Sequence, residues 1–193
     1  MKLNKAIIGI CALWLSLSLQ CGAIDYIFTG SGAGPLGSTS FDTAFEIDLH
    51  LNPANLFYNP VYTAPAISNV VGSITLRGVG TATFLDSLTV VGHGSGYGEV
   101  MIGDAWRTPW PYLNFMLSFF STKLEEYDLV STSGPVGADQ IGGGNSPVHT
   151  SMGDFYFSRL DFPLTFEAVP EPSVFALLAL CGGALLCYRR MLQ

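Results

Sequence analysis

The stretch FEIDLHL, residues 45–51, decides the fold. Phe45, Ile47, Leu49 and Leu51 alternate with Glu46, Asp48 and His50. A period of two sends one set of side chains to a core and the other to water, as on a half-buried strand; a helix would scatter both sets around its axis. The same alternation returns at residues 162–168, where Phe162, Leu164, Phe166 and Ala168 interleave with Pro163, Thr165 and Glu167. Pro163 has no N–H to give to a ladder, so this second strand is expected at a sheet edge. SITLRGVGTATFL, residues 73–85, is rich in threonine and β-branched residues and is interrupted by Gly78 and Gly80. It reads as two short strands, or as one strand bent at a glycine bulge. IDYIFT at 24–29 and DFYFS at 154–158 supply further strands.

Glycine- and proline-rich stretches separate these runs: GSGAGPLGS at 30–38, NPANLFYNP at 52–60, GHGSGYG at 92–98 and SGPVGADQIGGGNSPVH at 133–149. They read as turns and loops. Short strands with such punctuation predict an all-β domain, a β-sandwich of jelly-roll-like form. Residues 113–129, LNFMLSFFSTKLEEYDL, are compatible with two states. Leu113, Met116, Leu117, Phe120 and Leu124 fall on one helical face, while the aromatic and β-prone neighbours suit a strand.

The two ends differ from the middle. Lys2 and Lys5 precede an apolar run at 6–19, and Cys21-Gly22-Ala23 follows. That is the layout of a secretory signal peptide, expected as a signal helix over residues 1–23 with cleavage after Ala23. Between residues 24 and 168 fourteen acidic side chains face four basic ones, a net charge of −10. Such a surface repels a phosphate backbone and excludes nucleic acid as a partner. All four cysteines, Cys11, Cys21, Cys181 and Cys187, lie in the end segments. The exported middle therefore has no disulfide, no thiolate metal site and no cysteine nucleophile, and must be held by a packed core.

The motifs that could carry chemistry are weak. Gly32 to Gly37 match G-x-G-x-x-G, but the dinucleotide reading needs a helix to start there, and Pro35 and a strand pattern follow instead. His93 and Ser95 lie together among glycines without the G-x-S-x-G spacing of a nucleophile elbow. His50, His93 and His149 are not spaced as a ligand pair, and no calcium-loop pattern occurs. The expectation is no catalytic residue, no cofactor and no metal. Trp106, Trp110 and Tyr112 lie within seven residues of one another beside Asp104, Arg107 and Phe115. They either cover one end of the core or form a stacking platform for sugar rings, which makes a glycan-binding module the alternative function.

At the other end, residues 169–193 read VPEPSVFALLALCGGALLCYRRMLQ. An apolar run at 174–188 would make a helix about 22 Å long, short of the roughly 30 Å hydrocarbon core. Pro170, Glu171 and Pro172 suit its first turn, and Arg189 and Arg190 would stop transfer on the cytoplasmic side. This order resembles the PEP-CTERM sorting signal: Pro170, Glu171 and Pro172 match its tripeptide, 174–188 its short transmembrane helix, and Arg189 and Arg190 its basic end. "MLQ" after the arginines is a departure. The pieces YIFTGSGAGPLGSTSF, RGVGTATF, YDLVSTSGPVG and LTFEAVPEP also resemble an exported domain that recurs ahead of such tails. The resemblance implies processing by signal peptidase and by an exosortase, an inner-membrane enzyme of Gram-negative bacteria that make exopolysaccharide. It further implies transient anchoring in the inner membrane and a final place at the cell surface or outside the cell, with extracellular polysaccharide as a candidate partner. The expected function is that of a non-enzymatic surface or matrix protein.

Overall fold

A computed structural model describes residues 23–60, 62–93, 98–104, 114–144 and 147–170. Residues 24–169 form one compact unit. Within it the strands are β1 (Ile24–Leu36), β2 (Thr39–Leu51), β3 (Leu56–Asn59), β4 (Ala64–Leu76), β5 (Gly80–Thr83), β6 (Leu88–His93), β7 (Glu99–Asp104), β8 (Asn114–Phe120), β9 (Ser133–Gly137), β10 (Gln140–Gly143), β11 (Val148–Thr150), β12 (Gly153–Phe155) and β13 (Arg159–Pro170). Two single 3-10 turns, Pro53–Asn55 and Thr122–Leu124, are the helical pieces among the described residues. None of the described residues forms a helix long and apolar enough to cross a membrane. The domain is all-β, as the alternation predicts.

The strands join into one curled sheet in the order β10-β8-β7-β6-β4-β2-β1-β12-β11, with β13 beside β1 and β9, and β3 and β5 beside β4. Its spine is the β1–β2 hairpin, thirteen pairs from Leu36↔Thr39 to Ile24↔Leu51. The two-residue loop Gly37-Ser38 sets that register. Gly37 sits at φ 60, which suits the first position of a hairpin turn and is open to glycine without strain.

The curl is made at β4. Its second half pairs with β2 through Phe45↔Leu76 to His50↔Val71. Its first half pairs with β3 and β6. Between them the register shifts after Ile67, and Asn69 takes φ 56, a left-handed conformation that asparagine tolerates better than most residues. The strands on either side break at the same level, β2 giving way to β3 through residues 52–55 and β5 to β6 through 84–87. Polar side chains tie the bend: Asn55 Nδ2 donates to Ser68 O at 3.2 Å and Ser87 Oγ to Asn69 Oδ1 at 3.1 Å.

Bending brings inward faces together. Phe28 of β1 meets Phe119 of β8 edge-on with centroids 6.1 Å apart, and Phe166 of β13 lies 5.0 Å from Phe28 and 4.9 Å from Tyr26. One apolar cluster joins residues of both halves of the sheet, among them Ile47, Leu49, Ile74, Val90, Ile102 and Leu117. Burying such side chains gives about 1.5–3 kcal/mol each, and it holds a domain that has no disulfide.

Two open readings are decided and several expectations are corrected. Residues 113–129 hold strand β8, a 3-10 turn and a loop, with no α-helix among those described; the helical face lost to the ladder that β8 makes with β7 and β10. Residues 73–85 are two strands in a hairpin turning at residues 77–79, the first of the two readings of that stretch. The strand with Pro163 is flanked on both sides, by β1 and β9, although its first pair with β9 falls at Thr165↔Gly137, beyond the proline. Phe162 belongs to the outer side, 58% exposed, while Leu164, Phe166 and Ala168 are buried. Residues 133–143, expected as a loop, contain β9 and β10, and β3 lies within 52–60.

The largest correction concerns GSGAGPLGS, read from sequence as turn-rich. It is the second half of β1 up to Leu36, with the turn only at 37–38. Gly30, Gly32 and Gly34 fall at every second position, on one face of that strand. A Cβ at Gly32 would lie 2.7 Å from the carbonyl oxygen of Arg159, and one at Gly34 would collide with the carbonyl of Tyr156. The glycines form a bare lane against which chain 156–160 lies. The rings of Phe45, Phe157 and Phe41 sit over Gly30, Gly32 and Gly34 in turn. The G-x-G-x-x-G match is thus a packing surface.

Candidate functional site

The outer face of the β1–β2 hairpin carries the cluster with most chemical content. Asp25 and His50 are directly paired across the ladder. Asp48 stands two positions before His50 and so projects from the same face. The ligating atoms of Asp25, Asp48 and His50 all lie within 4.8 Å of one another. His50 Nδ1 is 2.6 Å from Asp25 Oδ1, with the two side chains 46% and 18% exposed. Asp48 Oδ1 is shut off from solvent and receives no hydrogen bond. Burial pushes the Asp48 carboxyl above its usual range; the charge of His50 pulls it down and that of Asp25 pushes it further up. The arrangement concentrates two carboxylates and an imidazole on a rigid ladder, the donor set of a divalent cation site.

His149 makes a second pair, with Nδ1 2.5 Å from Asp154 Oδ1, while its backbone N–H donates to Asp86 Oδ2 at 2.7 Å. Both side chains of the pair are well exposed, so the contact adds little stability. Arg159 bridges Asp42 and Asp161 at 2.8 and 2.9 Å. On the open side of β3, Leu56, Phe57 and Tyr58 are exposed.

At one end of the unit, residues 121–131 close over the core. Leu124 and Leu129 are buried, and Asp139 Oδ2 accepts from the N–H and hydroxyl of Thr122 at 2.8 and 3.1 Å. Leu129 takes φ 63, costly for a leucine. The buried Tyr26 hydroxyl donates to its carbonyl at 3.0 Å, and Asp128 accepts from the N–H groups of Val130 and Ser131 at 3.0 and 2.7 Å on its other side.

The residues singled out in the sequence fare unequally. Trp106, Trp110 and Tyr112 lie outside the described residues, as do Ser95, Glu171, Pro172, Arg189 and Arg190, residues 1–22 and the expected helix at 174–188. Pro170 ends β13 and is exposed. His93 pairs through its backbone with Glu99. His50 and His149 are far from each other in register, but each has a carboxylate neighbour. The Asp25–Asp48–His50 cluster escaped the sequence reading because Asp25 is remote along the chain. A signal for it existed: a two-residue turn at 37–38 places residue 25 opposite residue 50 by counting. No family model, curated protein or solved structure matches the chain.

Proposed function

We propose that this chain is an exported, non-enzymatic protein of the cell surface or extracellular matrix, delivered by a signal segment and sorted by an exosortase. The observation that carries the reading is the order Pro170-Glu171-Pro172, an apolar run at 174–188, then Arg189-Arg190. Residues 1–23 direct export and are removed by signal peptidase. The short apolar run holds the chain in the inner membrane and the arginines keep its end cytoplasmic. The tripeptide is a substrate site for the processing enzyme. Two properties of the folded unit support the destination: it has its own core without cysteine, and its acidic excess keeps it soluble. Its finer architecture is a two-layered, jelly-roll-like sandwich in which the sheet halves face each other across Phe28 and Phe119.

The test is the intact mass of the protein produced in a host with its exosortase. Loss of both ends is expected. A mature product that still contains residues 173–193 would sink the sorting reading.

A further inference from the structure

We propose that Asp25, Asp48 and His50 bind one divalent cation of the zinc type on the outer face of the β1–β2 hairpin. One imidazole nitrogen and one oxygen from each carboxylate are the protein ligands. The inference goes beyond the sorting reading and does not depend on it.

Asp48 is the member of the cluster that lacks a partner for a buried oxygen. A His–Asp ion pair explains His50 and Asp25, whose atoms meet at 2.6 Å. It leaves Asp48 with one carboxylate oxygen, Oδ1, buried and without a donor, and with a carboxylate oxygen within 4.8 Å of one of Asp25. A buried acceptor without a partner forfeits its hydration, and like charges at this range repel. A cation between the three side chains cancels the repulsion and gives the Asp48 carboxylate the positive partner it lacks. The geometry needs little change. Two ligand atoms bound to tetrahedral zinc at about 2.0–2.1 Å stand about 3.3 Å apart, so the contact between His50 and Asp25 opens by about 0.7 Å. The remaining separations, within 4.8 Å, close by a rotamer adjustment. Asp25 and His50 are opposed by backbone pairing, so the ladder positions the ligands before the ion arrives. The half-exposed His50 leaves a side open to water, which supplies the remaining ligand. Imidazole with carboxylates suits zinc and its first-row neighbours, whereas calcium takes six to eight oxygens.

The experiment uses the full chain in detergent micelles, titrated with Zn²⁺ by calorimetry and followed by long-range ¹H–¹⁵N spectra of the histidine rings. The chain has three histidines, so the assignment is tractable. The expected result is one bound equivalent that shifts the ring nitrogens of His50 and spares those of His93 and His149. Asp48→Asn and Asp25→Asn weaken binding at least about tenfold, and His149→Gln binds as the unaltered protein does. Absence of saturable binding, a shift at His149 in place of His50, full affinity in Asp48→Asn, or displacement by equimolar Ca²⁺ would each overturn the proposal. The spectra of the unaltered protein decide the matter even where a variant fails to fold.

Discussion

An alanine walked along the glycine lane of β1 tests how the core is built. At Gly32 a Cβ meets the Arg159 carbonyl oxygen at 2.7 Å and Phe157 Cδ1 at 3.2 Å. The first of these is backbone and cannot rotate away. At Gly34 the obstacle is again a backbone carbonyl, that of Tyr156, and it is closer. At Gly30 the nearest atom is the tip of a side chain, Leu164 Cδ1 at 2.6 Å, which can move. Overpacking of this kind costs about 1–3 kcal/mol. Replacing glycine restricts the unfolded chain and returns about 0.4–1 kcal/mol. Gly32→Ala should therefore lose about 1–2 kcal/mol net, Gly34→Ala more and Gly30→Ala less. At about 2–4 °C per kcal/mol for a domain of this size, the Gly32 variant melts roughly 2–8 °C lower. Gly137→Ala is the control, since a Cβ there meets nothing within 4 Å, and it should melt at or slightly above the original temperature. Thermal unfolding followed by circular dichroism measures the series. Equal melting temperatures for Gly34→Ala and Gly137→Ala, or a larger loss at Gly30 than at Gly34, would refute the packing account.

Two further predictions concern the loop over the core. Tyr26→Phe removes the hydroxyl that holds the Leu129 carbonyl and should lower stability by about 1–2 kcal/mol; a urea midpoint equal to that of the original protein would count against the bond. Burial alone would raise the Asp128 carboxyl, but the Ser131 hydroxyl and the N–H groups of Val130 and Ser131 outweigh it and hold its pKa low. The unfolded chain then binds this proton more readily than the folded one. The stability from Asp128 is thus present above the ordinary carboxylate pKa and is lost as pH falls through the lower folded value. Asp128→Asn should flatten part of the acid limb of a stability–pH profile, and an unchanged limb would show that the loop bonds do not bias the proton.

The strand class of the chain was legible because alternation is local. Residues 45–51 carry their own signal, and Phe45, Ile47, Leu49 and Leu51 are all buried as it requires. The same logic failed at residues 30–36, where glycine leaves no hydrophobic mark although it occupies the inward positions. Composition there suggested a turn; what makes the segment a strand is its pairing with Phe41–Phe45 and the chain that lies against it. Residues 113–129 offered two periods at once, and the neighbours β7 and β10 chose between them.

By itself, then, the sequence determined the all-β character, the acidic and cysteine-free middle and the order of Pro170-Glu171-Pro172, apolar run and arginine pair near residue 190, all of which are properties of contiguous residues. Only the tertiary structure decided that the glycines of β1 are a packing lane, that β4 bends the sheet at Asn69, and that Asp48 and His50 share a face with Asp25. Each of those depends on which strand becomes the neighbour. The contacts form between residues distant in the chain, and no local pattern encodes their partner.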